Sequence, residues 1–159
     1  MSLEKLNQLS PADLEAEFLK CCSSTKWAQA MVKRAPFAQV EELLEHADQC
    51  WAVCREEDWL EAIQSHPRIG TAKKVGAWSK QEQAGMATAE DETKRRMAQL
   101  NHEYFEKFGF TFLICATGKS ADEMLQALEQ RIQLSRTDEL KNAAEQLGMI
   151  NKIRLEKLL

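Results

Sequence analysis

Residues 137–159 read TDELKNAAEQLGMINKIRLEKLL, and their apolar side chains recur every three or four positions. This spacing is typical of an amphipathic α-helix, and Thr137 has a side chain suited to a helix N-cap. The predicted apolar stripe consists of Leu140, Ala143, Ala144, Leu147, Ile150 and Leu158. We therefore expect the last helix to begin at Thr137 and to bury one face.

The amino-acid composition favours helix along the whole chain. The 159 residues are 44% hydrophobic and 29% charged, which suffices for one domain with a sizeable core. Strong helix formers such as Ala, Leu, Glu and Gln far outnumber the β-branched residues. We predict an all-α fold, a single compact domain over residues 1–159 with about seven to nine helices.

Capping signals and apolar periodicity divide the chain into successive helices. The predicted helices cover residues of about 10–22, 27–34, 38–55, 58–65, 90–108, 120–134 and 137–159. A capping box of Ser79 and Glu82 predicts another helix near Lys80, after a loop at 67–78. The residues expected on the buried face of the 90–108 helix are Met97, Leu100, Tyr104, Phe105 and Phe108.

An apolar stretch follows Gly109, which is predicted to end the preceding helix. Residues 110–116 read FTFLICA, the one segment with the character of a strand. A single strand has no partner in an otherwise helical chain. We therefore expect a buried extended connector at about 110–117.

Charge and hydropathy exclude two classes of partner. The net charge is −4 and the sequence pI is about 5.5, so no basic surface for nucleic acid or an anionic membrane is expected. The longest nearly apolar run, 110–116, is too short to cross a bilayer. Glu4 stands where a signal peptide would be apolar. We expect a cytoplasmic protein with neither nucleic-acid nor membrane partners.

One helix carries three potential metal ligands. His46, Cys50 and Cys54 stand at i, i+4 and i+8, which could align them in a row. The row, however, drifts from the polar flank into the apolar stripe of the same helix. Small buried thiols are therefore the favoured interpretation, and a metal or redox sensor is the weaker alternative.

Two polar residues stand where packing alone does not explain them. Arg154 falls inside the apolar stripe of the last helix, about 20° around the axis from Leu147. It would pair with a carboxylate of this protein, extend its charged end to solvent, or clamp a small anionic substrate. His66 precedes Pro67 at a helix end, where an imidazole suits either proton transfer or capping of the helix carbonyls.

Three motifs occur in a distinctive order. They are HPRIG at 66–70, SKQEQAG at 79–85 and LNxxYxxxFGFxFLICA at 100–116. Together they resemble the 2-oxo-4-hydroxy-4-carboxy-5-ureidoimidazoline (OHCU) decarboxylase family of urate degradation. The resemblance covers nearly the whole chain, through Arg131 and on to Ile153, Arg154 and Leu155.

The resemblance implies an all-helical, cofactor-free enzyme, usually a homodimer, that converts OHCU to (S)-allantoin and carbon dioxide. It makes His66 the catalytic residue and implies no metal. The residues implied to bind this small anionic heterocycle are Pro67, Ser79, Glu82, Gln83, Phe112, Leu113, Ile114, Cys115, Ala116 and Arg154. The chain departs from the family at Cys21–Trp27, which only loosely resembles an acidic E-x-S-x-W pattern.

The residue types implied for the site, a histidine, a glutamate and an arginine, suit the implied decarboxylation. We expect His66, Glu82 and Arg154 to converge on one pocket, with His66 as the acid–base group. The alternative from another class is a non-catalytic helical interaction module in which Arg154 and Glu82 form an internal ion pair. An open polar pocket and a response to substrate would distinguish the enzyme from the module.

Overall fold

The structure, a computed structural model, describes residues 1–66 and 90–159. Its helices are α1 (Leu3–Asn7), α2 (Pro11–Cys21), α3 (Thr25–Val32), α4 (Val40–Ala52), α5 (Glu56–Gln64), α6 (Asp91–Phe108), α7 (Ala121–Arg131) and α8 (Arg136–Leu158). No strand occurs within the two described ranges, and the predicted all-α class is confirmed. None of these helices is both long enough and apolar enough to span a membrane.

Three helix boundaries follow the signals that predicted them. Ser10 caps α2, accepting a hydrogen bond from the Asp13 N–H at 3.2 Å. Ser120 caps α7 by accepting from the Glu123 N–H at 3.2 Å. Gly109 ends α6 with φ at 78°, in the left-handed region that favours a residue without Cβ.

The structure corrects the sequence prediction at two further positions. Helix α8 begins at Arg136, and Ser135 rather than Thr137 caps it, because the Ser135 Oγ accepts from the Asp138 N–H at 3.2 Å. Phe105 is 37% exposed. It lies about 100° around α6 from Tyr104, which takes it off the buried face.

Two other differences concern the ends of the described ranges. The sequence does not predict α1, since five residues are too few to show a helical period. The predicted loop at 67–78 and the predicted helix near Lys80 lie outside the described residues.

Contacts within the chain divide it into two compact units. The first unit comprises residues 1–65 and 148–159, and the second comprises residues 66–147. Helices α1 to α5 and the end of α8 belong to the first unit. Helices α6, α7 and the beginning of α8 belong to the second. The single domain expected over residues 1–159 stays a prediction.

Aromatic side chains form the centre of the first unit. Phe18 meets the rings of Trp27 and Phe37 edge-on, at centroid distances of 5.9 and 6.2 Å. The Trp27 indole N–H donates to the Ala47 carbonyl at 3.0 Å, which satisfies the one polar group of this buried ring. Helix α3, which carries Trp27, packs against α2, α4 and α5. The position of α3 therefore organises this unit.

A second aromatic cluster surrounds Tyr104 in the second unit. The Tyr104 ring lies 4.6 Å from Phe108, 5.8 Å from Phe110 and 5.4 Å from Phe112, measured between centroids. These contacts hold the chain that leaves α6 against that helix. Residues 111–116, hereafter the connector, have neither helix nor strand pairing, and 112–116 are buried. The predicted buried connector is confirmed.

We predict that the cap of α3 contributes more stability than the cap of α2. Ser24 is fully buried and accepts from the Trp27 N–H at 3.3 Å, whereas Ser10 caps an exposed helix end. Ser24→Ala should lower the free energy of unfolding by about 1–2 kcal/mol, because it leaves a buried N–H unsatisfied. The matched control Ser10→Ala should cost only about 0.5–1 kcal/mol. Urea unfolding measures both, and equal losses would contradict the expected difference.

Candidate active site

His66 follows Ser65, the C-cap residue of α5, and lies half-buried. The helix ends through Ser65, whose N–H and Oγ both donate to the Ala62 carbonyl, at 3.3 and 2.7 Å. The imidazole therefore leaves the chain at a helix end, where the backbone direction is set by local hydrogen bonds. A side chain just after a helix end can project without a further turn of that helix beside it.

Four of the predicted site residues lie outside the described residues. They are Pro67, Ser79, Glu82 and Gln83. The expected convergence of His66, Glu82 and Arg154 therefore stays a prediction. The same holds for an internal ion pair between Arg154 and Glu82.

Arg154 occupies the predicted apolar stripe of α8 and is half-buried. The stripe residues themselves, from Leu140 to Leu158, are buried as expected. One Arg154 guanidinium nitrogen, Nη1, donates to the Cys21 carbonyl at 3.5 Å. A neutral carbonyl orients a guanidinium without cancelling its charge. The contact with the Cys21 carbonyl thus helps to orient the Arg154 guanidinium within the first unit.

The Cys21–Trp27 region, where the family pattern is lost, lies against the same helix. The Cys22 thiol lies near the side chain of Asn151, which precedes Arg154 by one turn of α8. Asn151 is itself buried. Cys21 and Cys22 therefore both lie beside this turn of α8. In the described residues the Cys21–Trp27 region meets Arg154 through a backbone carbonyl rather than an acidic side chain.

The connector uses its backbone groups unequally. The Leu113 carbonyl accepts from Arg131 Nη1 at 2.7 Å, and the Cys115 N–H donates to Gln146 Oε1 at 2.9 Å. Lys119 Nζ donates to the Cys115 carbonyl at 2.8 Å. Ile114 lies between Leu113 and Cys115. Neither its N–H nor its C=O makes a hydrogen bond to the part of the chain described here.

Ile114 therefore offers a donor and an acceptor at a buried position. Ile114 is only 6% exposed. Buried backbone groups are almost always paired, so an unused pair indicates a place for another polar molecule. A planar heterocycle with an adjacent ring N–H and C=O has the complementary pattern.

A buried charged cluster adjoins the connector. Glu139 is fully buried, and its Oε1 accepts from the Tyr104 hydroxyl at 2.6 Å and from Arg131 Nε at 2.8 Å. Arg131 Nη2 donates to the same oxygen at 2.5 Å. The guanidinium also lies over the Phe112 ring, 4.5 Å from its centroid. Burial, together with the hydrogen bond to Glu139, raises the pKa of Tyr104 far above its ordinary value.

Sequence reasoning does not single out Glu139 as a structural residue, although the signal is present. On a helical projection it lies about 20° beyond Ile150, at the edge of the apolar stripe of α8. The projection that identifies Arg154 as anomalous would have identified Glu139 too. A carboxylate at the edge of a buried face needs a cation, and Arg131 supplies it.

Of the potential metal ligands, His46 and Cys50 lie on α4, whereas Cys54 lies beyond its end at Ala52, so the predicted helix over 38–55 is shorter than expected. All three belong to the packing of the first unit. Cys50 and Cys54 are buried, and the Cys54 thiol donates to the Cys50 carbonyl at 3.3 Å. His46 Nε2 lies 3.6 Å from the Glu42 carboxylate. The buried-thiol interpretation is confirmed. In the described ranges, no group of three His, Cys, Asp or Glu side chains is arranged to hold a metal ion.

Comparison with known proteins points to one family. A family model described as OHCU decarboxylase matches residues 7–156. The crystal structure of an OHCU decarboxylase in the presence of (S)-allantoin is similar, with a TM-score of 0.78 and 33% identity. That similarity covers 89% of this chain and 96% of the other.

Two curated relatives show how length varies among similar proteins. The uric acid degradation bifunctional protein of Arabidopsis thaliana is 32% identical over 91% of this chain but only 47% of its own length. The 2-oxo-4-hydroxy-4-carboxy-5-ureidoimidazoline decarboxylase of Haloferax volcanii is 25% identical over 98% of this chain and 94% of its own. The chain spans 32–47% of the length of the first three curated relatives it matches.

We predict that the buried thiols lower stability in alkaline solution. Burial raises the pKa of Cys22 from 9.0 to about 12. Above pH 9 the unfolded chain releases this proton while the folded chain keeps it, so stability falls as pH rises. At pH 10 the loss is about 1 kcal/mol for this thiol. Urea unfolding between pH 8 and 10 should therefore show a shallower decline in Cys22→Ala than in the wild type, and parallel declines would contradict the assignment.

Proposed function

The chain belongs to the OHCU decarboxylase family, and we propose that it converts OHCU to (S)-allantoin and carbon dioxide. The observation that carries the proposal is the family match over residues 7–156, nearly the whole chain. The similar crystal structure that was determined with (S)-allantoin supports the identity of the product. The described parts of the site agree with this chemistry, since they include a half-buried guanidinium and connector backbone groups without a partner in the described residues.

The proposed reaction needs no external electron acceptor. In OHCU the ring carbon that carries the hydroxyl and the carboxylate adjoins a C=N bond. When the bond to the carboxylate breaks, its electron pair passes into this neighbouring system, and carbon dioxide leaves. The resulting enol hydroxyl gives up its proton and becomes the ring carbonyl, while a proton is added to the adjacent carbon of the former C=N bond, which becomes the stereocentre of allantoin. We therefore propose that the protein works without metal or cofactor, by orienting the substrate and moving protons.

Three side chains share this work in the proposal. His66 assists the hydroxyl and controls protonation of the carbon adjacent to the one that loses carbon dioxide, because an imidazole exchanges protons near neutral pH. Arg154 binds an anionic or carbonyl edge of the substrate through its guanidinium. Glu82 accepts hydrogen bonds from ureido or ring N–H groups. Pro67, Ser79 and Gln83 complete the proposed binding residues.

The connector provides the remaining recognition. Its side chains are apolar, so polar edges of the substrate must be bound by backbone N–H and C=O groups of Phe112–Ala116. Ile114 and Phe112 each have an N–H and a carbonyl without a partner in the described part of the chain. We assign the role to Ile114 because Arg131 and Gln146 fix the two peptide groups that flank it. Apolar walls exclude water, which strengthens the hydrogen bonds that form inside.

We further propose that the protein acts in the cytoplasm as a homodimer. The family resemblance supports the dimer, and the thiols of Cys21, Cys22, Cys50, Cys54 and Cys115 are all unbridged in the structure, as a reducing compartment would keep them. Light scattering on the purified chain measures the oligomeric state. A mass near 18.1 kDa at micromolar concentration would exclude a stable dimer.

The stereochemistry of the product tests the proposed function. OHCU decays without enzyme, and protonation in solution reaches both faces of the planar intermediate, which gives racemic allantoin. Protonation in a fixed site reaches one face. Substrate generated in situ from urate should therefore yield (S)-allantoin, detected by circular dichroism, with or without a chelator. Racemic product at the spontaneous rate would reject the activity, and loss of activity with chelator would reject the cofactor-free reaction.

We predict that His66→Ala abolishes most turnover while the free energy of unfolding changes by less than about 1 kcal/mol. A half-buried side chain at a helix end contributes little packing. The matched control is His102→Ala, since His102 is an exposed histidine on α6. Initial rates of formation of optically active allantoin measure both variants. Wild-type turnover in His66→Ala would remove His66 from the mechanism.

We predict that Arg154→Ala raises KM by about 10- to 100-fold and lowers kcat much less, because it removes a charge-assisted contact formed already in the bound substrate. Lys152→Ala is the control on the same helix. Lys152 pairs with Asp48 at 2.9 Å, with both side chains partly exposed, and should be replaceable without kinetic effect. Unchanged KM in Arg154→Ala would place substrate binding elsewhere.

A further inference from the structure

Two hydrogen bonds to the connector fix the directions of the backbone groups of Ile114. The Leu113 carbonyl and the Ile114 N–H belong to one peptide group, which is planar and trans, so the two point in opposite directions. The Arg131 guanidinium holds the Leu113 carbonyl at 2.7 Å. Arg131 therefore sets the direction of the Ile114 N–H.

The next peptide group is held in the same manner. It contains the Ile114 carbonyl and the Cys115 N–H, which also point in opposite directions. Gln146 Oε1 accepts from the Cys115 N–H at 2.9 Å. Gln146 thus sets the direction of the Ile114 carbonyl. The donor and the acceptor of Ile114 are both directed away from the residues that fix them.

Arg131 can perform this role because its own orientation is determined. Its Nε and Nη2 both donate to Glu139 Oε1, and Nη1 remains for the Leu113 carbonyl. The Tyr104 hydroxyl donates to the same carboxylate oxygen at 2.6 Å, and Asn142 approaches the second oxygen at 3.4 Å. With Glu139 fully buried and bonded on several sides, the planar guanidinium has one orientation available.

The Phe112 ring adds a second contact to the same side chain. The Arg131 guanidinium lies over it at 4.5 Å from the centroid, and the ring also packs against Tyr104 at 5.4 Å. Arg131 therefore contacts the connector at two successive residues, through the ring of Phe112 and the carbonyl of Leu113. A lysine would carry the same charge but could not make these contacts and the bonds to Glu139 together.

We infer that Arg131, held by Glu139 and Tyr104, is a positioning residue that directs the Ile114 N–H toward the substrate. Gln146 has the corresponding role for the Ile114 carbonyl. The inference deepens the proposed function and rests on it for the identity of the substrate. The fixed donor and acceptor suit a ring edge that carries an N–H beside a C=O.

Two variants of graded severity test this role. Arg131→Lys keeps the positive charge beside Glu139 but removes the planar guanidinium. Tyr104→Phe removes only the hydroxyl that donates a hydrogen bond to Glu139. We expect KM to rise about tenfold in Arg131→Lys and about threefold to fivefold in Tyr104→Phe, with kcat within about twofold of wild type. Circular dichroism first confirms that each variant is folded at the assay temperature.

The second unit offers a matched control for the arginine. Arg96 pairs with Glu129 at 3.8 Å, and both side chains are nearly half exposed. Arg96→Lys makes the same chemical change on the surface and should leave KM unaltered. A rise in KM in the two test variants but not in the control supports positioning. KM within twofold of wild type in both test variants overturns it, whatever happens to kcat.

A spectroscopic measurement separates this inference from the proposed function. The amide nitrogen of Ile114 shares a peptide group with the Leu113 carbonyl, so its NMR shift should move in Arg131→Lys and not in Arg96→Lys. An unmoved signal overturns the orienting role without reference to catalysis. Racemic allantoin from the wild-type protein would instead reject the proposed function. If the wild type yields (S)-allantoin but KM is unchanged in both test variants, only the positioning role is rejected.

Discussion

The buried pair of Arg131 and Glu139 is the interaction on which the described architecture of the second unit depends. Glu139 is fully buried and Arg131 nearly so, and removing either partner of such a pair costs about 3–5 kcal/mol because the other charge is left uncompensated. A pair of this kind adds little net stability over apolar residues of similar size. The pair matters because it orients the Arg131 guanidinium, which joins α7, the beginning of α8 and the connector in a single arrangement.

The buried pair of Arg131 and Glu139 allows the irregular connector to lie in the core of the second unit. Backbone buried outside helices and sheets normally costs free energy, because its polar groups lose water without gaining partners. In the connector, Arg131 satisfies the carbonyl of Leu113, and Gln146 and Lys119 satisfy the N–H and the carbonyl of Cys115. The aromatic rings around Tyr104 cover the side chains. The groups that remain include the N–H and carbonyl of Ile114, whose unused donor and acceptor suit a reaction in which the substrate accepts the released electrons and the protein orients it.

Local signals predicted the helices well and the long-range contacts poorly. Ser10, Ser120 and Gly109 act within a few residues of themselves, so their roles are readable from sequence. The buried connector was predictable because FTFLICA is apolar and has no strand partner. The link from Arg131 to Leu113, 18 residues away, depends on how α7 and α8 pack, which periodicity does not encode. Arg154 was recognisable as anomalous, but its contact with Cys21, 133 residues away, was not.

Titration with (S)-allantoin, followed by NMR at individual amides, tests most directly whether the fixed backbone of the connector binds the heterocycle. At 159 residues the chain is small enough for assigned amide spectra. The account predicts a large, saturable shift of the Ile114 amide proton and a much smaller one for Cys115, whose N–H is already bonded to Gln146. (R)-allantoin should bind more weakly. An Ile114 amide that stays in place at saturating (S)-allantoin, while other amides shift, would contradict the central claim.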